Sequence, residues 1–246
     1  GSLFEQRSYI LTGPFIRIQT WRTYTSKCFR TSANDSSTSA VLGFPRIGPH
    51  REVKKALEAY WGGKTSSEEL LQVAKEQRLA TYATIKEQGV DIIPTGTFSL
   101  YDHVLDASNT FGIIPDAYKN SGLSPLDTYF AMARGHQKGG VDLPATEMKK
   151  WFDSNYHYLV PEFSENSTFS LNNTKPIDDF VEAKEAGYNG RPVIVGPLTL
   201  LWLGKISKDA KSESFNQFTL LPKLVEVYGE LLKKLSAAGA PWVQLD

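Results

Sequence analysis

The sequence is short of the residues that most covalent and metal-dependent scaffolds require. Cys28 is its only cysteine, which excludes a disulfide framework and a cysteine-based zinc site within these 246 residues. With 27 basic and 27 acidic residues it carries no net charge, so it lacks the basic excess of a dedicated nucleic-acid binder. No apolar run approaches the ~20 residues needed to cross a bilayer. Its four histidines, at 50, 103, 136 and 157, follow no metal-ligand spacing. No Ser-His-Asp or Cys-His arrangement can be read either, so the chain displays no self-sufficient catalytic centre. What remains is ordinary globular composition, 41% hydrophobic and 12% aromatic, the composition of a soluble intracellular protein.

Acidic residues are also missing from one stretch. Between Gln6 and Asn34 there are five basic residues (Arg7, Arg17, Arg22, Lys27 and Arg30), many Ser and Thr, and no Asp or Glu. That composition fits an organelle transit peptide, and equally a disordered tail or a mistranslated upstream stretch. Residues 1–40 are therefore set apart as a leader or extension, and 41–246 as the folded region. The expected location is cytoplasmic, or mitochondrial if the leader is a genuine transit peptide.

From Ala40 onward short apolar runs alternate with helical patterns. Val41–Phe44 reads as a strand, followed by a helix from about His50 to Trp61 with Val53, Ala56, Leu57 and Tyr60 on one stripe. Thr65 or Ser66 caps a second helix that runs to about Gln88, where Gly89 stops it. "VDIIPTGTF", "NYHYLVPEF", "RPVIVGPLTLLWLGK" and "PWVQLD" read as further strands, the third running into a loop. Helices are expected in "SPLDTYFAMARG", over Asp178–Ala186 and over Asn216–Ala238. Five near-continuously apolar strands separated by helices are the rhythm of a parallel sheet covered on both faces. A (β/α)8 TIM-type barrel is the leading architecture, truncated here because eight strands are needed. A doubly wound sheet comes second, since no Gly-rich phosphate fingerprint follows any strand.

In such folds ligands sit at the C-terminal strand ends. Those ends carry Gly43 to Arg46, Pro94 to Thr97, Pro161 and Glu162, Gly196-Pro197, and Asp246. Arg46, His50, Arg51, Lys54 and Lys55 crowd the start of the first helix, where the dipole is already positive. The crowding describes either an anion seat or a solvated face offset by Glu52 and Glu58. In "KKWFDSNYHY", Asn155 can hydrogen-bond a carboxylate, and Trp151 and Tyr156 offer stacking surfaces. The alternative makes the aromatics core and Asp153 a cap. Asp102, His103 and Asp106 form the nearest carboxylate–histidine grouping, which reads as structural.

Six collinear stretches carry a more specific signal: "VLGFPRIGPHREVKKALEAYWGGK", "FSLYDHVLD", "GLSPLDTYFAMARG", "EMKKWFDSNYHYLVPEF", "RPVIVGPLTLLWLGK" and "AAGAPWVQLD". Over residues 40–246 the chain resembles the N-terminal domain of cobalamin-independent methionine synthases, fungal members above all. The resemblance implies transfer of a methyl group from 5-methyltetrahydropteroyltriglutamate to homocysteine, by a two-barrel protein that is a monomer at full length and uses no cobalamin. It implies a zinc that holds the homocysteine sulfur as a thiolate, with ligands in a C-terminal barrel beyond Asp246. It further implies that the N-terminal barrel holds the folate's polyglutamate tail. The family's RExK element corresponds to Arg51, Glu52, Val53 and Lys54, and its NYHY asparagine to Asn155, with Lys150 a further candidate nearby. No catalytic or metal residue is expected among these 246, and neither nucleic acid nor membrane is an expected partner. The other reading is a non-catalytic folate-binding or scaffold fragment.

Overall fold

A computed structural model describes residues 38–246 apart from 209, 211 and 213, together with the backbone of two strands, β1 (Arg7–Thr12) and β2 (Phe15–Thr20). The basic side chains of the leader and Cys28 lie outside the described residues.

Helix α1 (Glu52–Trp61) buries Val53 and Leu57 against Leu70 and Ala74 of α2 (Ser67–Glu87). The expected cap of α2 is a full capping box. Ser66 Oγ accepts from the Glu69 amide, and the Glu69 carboxylate accepts from the Ser66 amide at 2.8 Å. Gly89 ends the turn beyond it at φ +80°, a conformation that glycine adopts freely.

Strand β3 (Ile93–Thr95) is followed by α3 (His103–Thr110), the single-turn α4 (Asp116–Lys119) and α5 (Pro125–Arg134). Short ladders come next. β4 (His136–Lys138) pairs with β5 (Val141–Leu143), and β6 (Met148–Lys150) with β7 (His157–Leu159), both antiparallel. β8 (Glu162–Phe163) pairs in parallel with β10 (Lys205–Ile206). The chain then runs through α6 (Lys175–Glu185), β9 (Gly190–Ile194), α7 (Pro197–Leu203), a 3-10 turn at Gln217–Leu220, α8 (Leu221–Ala237) and β11 (Trp242–Leu245).

The main sheet has the order β2-β1-β11-β9-β3, and a single parallel bridge from Ala40 to Ile92 lies beyond β3. β3, β9 and β11 are mutually parallel, whereas β1 joins β11 antiparallel. The chain is thus a mixed α/β structure with a parallel centre. Among the described residues the sheet is open, and no barrel closes. The largest core cluster lies under α7 and α8, where Leu200, Leu201, Leu224, Leu231 and Leu235 are fully buried and Phe111 stacks on Tyr228 at 4.0 Å.

Three expectations about elements are corrected. Val41–Phe44 forms no strand beyond the Ala40 bridge. Leu42 and Phe44 face solvent, at 70% and 44% exposure, and Pro45 has no N–H to extend a ladder. "NYHYLVPEF" does not enter the main sheet: β3 pairs directly with β9, Ile93 opposite Gly190. The stretch is instead divided between β7 and β8 around Pro161. Residues 197–203, expected as a loop, form α7, with Pro197 in its first turn.

Leu231 is fully buried on the inner face of α8. Replacing it with Ala should cost about 2–5 kcal/mol, because a cavity remains where the side chain was removed. Urea unfolding of the variant beside the parent checks this, and an unchanged midpoint would show that α8 does not close the core.

Candidate site at the strand ends

Arg46, Gly96-Thr97, Val193–Val195 and Asp246 all line one cavity of about 390 Å³ at the C-terminal side of the parallel strands. Gly96 follows β3 at φ +81°, and a Cβ there would lie 2.9 Å from the Val193 carbonyl oxygen. Glycine is what allows β3 and β9 to approach at the cavity floor. The walls come from α3 (His103, Asp106), from Trp151 and Tyr156 around the β6–β7 turn, and from Lys175 at the start of α6. Pro161 and Glu162, also expected at a strand end, border a separate small cleft.

Asp102 fixes this wall. Its carboxylate is 1% exposed and accepts from the amides of Leu105 at 2.9 Å and Leu159 at 3.1 Å, and from the Tyr156 hydroxyl at 2.6 Å. Because Tyr156 donates its proton to Asp102, the 3.2 Å contact between His103 Nδ1 and the Tyr156 oxygen assigns the proton to Nδ1. His103 Nε2 is then an acceptor. Burial lowers the His103 pKa, against the opposing pull of Asp102 and Asp106. The ring packs edge-on to Trp151 at 4.7 Å. Burial, followed by the Asp102 charge and hydrogen bond, raises the Tyr156 phenol to about 12.

Behind this triad lies an ion network. Lys175 Nζ donates to the Phe98 carbonyl at 2.8 Å and to Asp179 at 2.7 Å, and stands 3.5 Å from Asp106. Burial works against its charge, but Asp179 and Asp106 outweigh that and raise its pKa. Arg78 grips Glu182 with two bonds of 2.7 and 2.9 Å and lies 3.7 Å from Asp179. Asp106 Oδ1 accepts from Tyr129 at 2.7 Å, while its Oδ2 is buried without a hydrogen bond. Arg46 donates to the Tyr101 carbonyl and lies 5.9 Å from the Tyr156 ring centre. It has no carboxylate within 4 Å among the described residues.

Of the residues singled out for the anion seat, Arg46 lines the cavity, whereas His50, Arg51, Lys54 and Lys55 lie outside it. Helix α1 begins at Glu52, not His50. Arg51 is its N-cap residue at φ 63°, so Arg51 and Lys54 do not share a helical row. The Gly48-Pro49 turn is the cause: Gly48 has φ +85° and its carbonyl accepts from the Arg51 amide at 3.2 Å. Glu52 completes the turn by accepting from the His50 amide at 3.0 Å. Arg51 and Lys54 are exposed, and Lys54 has only a loose 3.7 Å pairing with Glu58. Asn155 is exposed in the β6–β7 turn beside Tyr156, and Lys150 is exposed in β6. Of the aromatics there, Trp151, Tyr156 and Tyr158 pack on the core while Phe152 is 55% exposed. Lys175 was missed, although its i, i+4 spacing from Asp179 was readable.

An α/β domain with a parallel centre and a walled cavity at its strand ends belongs to the class that receives ligands at that edge. Residues 38–246 match the family described as the cobalamin-independent synthase, N-terminal domain, and the chain belongs to that family. It is 59% identical over 214 residues to a Schizosaccharomyces pombe protein named probable 5-methyltetrahydropteroyltriglutamate–homocysteine methyltransferase. It is 53% identical over 214 residues to the Saccharomyces cerevisiae protein of that name, without the qualifier. A Caulobacter vibrioides protein so named is 49% identical over 225 residues. Each alignment covers 85% of this chain, which spans 28% of the length of each relative.

The Tyr156 phenol has a direct consequence for stability. Its folded-state pKa, about 12, lies above the ordinary value near 10. The neutral phenol therefore supports the fold fully below pH 10, and this support is lost as pH rises towards 12. Unfolding free energy should fall across that window, and Tyr156→Phe should flatten the fall. An equal slope in parent and variant would detach Tyr156 from the wall.

Proposed function

We propose that this chain is the N-terminal portion of a cobalamin-independent methionine synthase. The whole protein transfers a methyl group from 5-methyltetrahydropteroyltriglutamate to homocysteine, and this portion is part of a (β/α)8 barrel that holds the folate's glutamate tail. The observation that carries the reading is the family match over residues 38–246, joined by relatives whose names state that reaction.

The tail site is read at Arg51, Lys54 and Asn155, with Lys150 beside them. γ-Linked glutamates present a row of carboxylates, and exposed guanidinium and ammonium groups are their natural partners. Arg51 is held in the left-handed region, which costs of order 1 kcal/mol for a residue with a side chain. The turn that enforces it presents Arg51 ahead of the helix and Lys54 within it. The Asn155 amide can likewise donate to a carboxylate.

Zinc does not fit here. Among the described residues no group of three or more His, Cys, Asp or Glu could hold a metal ion. Homocysteine activation by zinc is proposed for the part of the longer relatives that this chain does not span.

The reading is tested by assaying the complete protein for methionine formation from homocysteine and the triglutamyl folate without cobalamin. Absence of product would overturn it. Lys54→Ala in that protein should weaken the triglutamyl folate about tenfold, as loss of one charge-assisted contact does, and leave the monoglutamyl form nearly unaffected. Equal weakening of both would remove the tail role.

A further inference from the structure

Below the cavity floor the sheet buries a cation without a counter-charge. Arg191 stands two residues before Val193 on β9, so both project to the same face, and Val193 lines the cavity. Gln244 is the partner of Val193 on β11, which puts Trp242 beside Arg191 on this inner face. The outer face is packed, with Ile194 and Val243 in one cluster with Phe180 of α6 and Leu231 and Leu235 of α8. Arg191 is only 7% exposed. One terminal nitrogen donates to the Val41 carbonyl at 2.8 Å, and the guanidinium lies 5.7 Å from the Trp242 ring centre. Its Nε is buried without a hydrogen bond. The elements around it present Pro94 from β3, Trp242 from β11 and Val41 from the loop after Ala40, none of which titrates. Asp246 is the one acidic group whose charge reaches it, and burial still holds the guanidinium below its ordinary pKa. Asp246 itself is exposed and accepts from Gln244 at 2.6 Å. Among the described residues no carboxylate lies within 4 Å of Arg191.

A guanidinium keeps its charge when buried, and a buried charge without a partner is far more costly than a buried polar group. The Trp242 ring offsets that cost only in part. A further backbone carbonyl would satisfy Nε but leave the charge unmatched, whereas a carboxylate does both and fits the planar fork of N–H donors. The chain spans 28% of the length of its named relatives, and in a closed barrel the inward side chains of different strands meet in shared layers. We infer that Arg191 is the receptor for a buried carboxylate, carried by a strand of the complete protein outside these 246 residues and paired with it across the inner face of the sheet. The inference rests on the reading of this chain as part of a longer (β/α)8 barrel. It adds the charged contact that fixes which side chain of the closing strands faces β9.

The test is hydrogen exchange of the β9 and β11 peptides in the complete protein, parent beside Arg191→Met, at pH 8 and pH 5.5 with intrinsic rates divided out. Removing the cation strands a buried carboxylate, whose pKa then rises. The stranded charge destabilises the fold at pH 8 and is relieved at pH 5.5, where the group takes up a proton. Exchange in Arg191→Met should therefore be at least tenfold faster than in the parent at pH 8, with most of the difference gone at pH 5.5. Arg191→Lys, which keeps the charge, should show no such pH dependence. Unchanged or slower exchange in Arg191→Met at both pH values would mean that the cation had no partner, and equal acceleration at both would mean lost packing alone. Saturable protection of the parent by phosphate or formate, absent in Arg191→Met, would assign the place to a free anion. Each of these would overturn the inference. Should Arg191→Met not fold, dicyclohexylcarbodiimide can join the amine of Arg191→Lys to its partner as an amide, mapped by peptide mass spectrometry. The link is expected to an Asp or Glu outside residues 1–246, and its absence, or a link to Asp246 or another acid of this chain, would overturn the inference. Failure of the methyl-transfer assay is a separate result, because exchange at β9 reads the pairing and not the reaction.

Discussion

The Asp102 carboxylate joins two parts of the chain, the start of α3 and residues 156–159, that no regular ladder connects. It caps α3 through the Leu105 amide, holds β7 through the Leu159 amide and orients the Tyr156 hydroxyl. A buried carboxylate is tolerable only when its oxygens are fully engaged, and these three donors supply that engagement. The dependence runs in both directions. Without Asp102, α3 loses its cap, β7 its tether and His103 its fixed tautomer. Tyr129 reinforces the same junction by accepting from the Tyr101 amide at 3.1 Å and donating to Asp106.

Electrostatics divide the molecule into two regimes. On the surface, Arg51, Lys54 and Lys150 are solvated cations whose attraction for any anion is screened by salt. Inside, Arg78, Lys175, Asp106, Asp179 and Glu182 are linked over 2.7–3.7 Å, where screening is weak and geometry decides. A flexible chain of carboxylates suits the first regime. One chain with no net charge carries both because its exposed cations are solvated while Arg78 and Lys175 are paired with carboxylates.

Local signals were legible where they were self-contained. The Ser66 capping box, the Gly89 stop and the Leu221, Leu224, Tyr228, Leu231, Leu235 face of α8 could all be read from spacing, and each is as expected save that Leu221 is only half-buried. The strand-end rule also brought Arg46, Gly96, Thr97 and Asp246 to one cavity. Pairing was not legible, because apolar runs do not state their neighbours. "NYHYLVPEF" has the composition of a sheet-centre strand, yet β9 occupies the place beside β3. The turn at Gly48-Pro49 likewise moved Arg51 off the helix, where pattern alone had placed it. The Asp102–Tyr156–His103 contact spans residues 102 to 156 and leaves no periodic trace.

That pairing is also what builds the cavity. With β3 hydrogen-bonded directly to β9, residues 96–189 must leave the sheet at one strand end and return to its neighbour. They cannot add a strand between the two, so α3 and the β6–β7 ladder fold over the C-terminal edge and α6 carries the chain back along the sheet to the start of β9. Lys175 ties the return path to the outgoing one by donating to the Phe98 carbonyl. Asp102 performs the same task nearer the middle, through Leu159. The excursion is therefore pinned at two points by buried charge, and the cavity is the space that these pins hold open above Gly96.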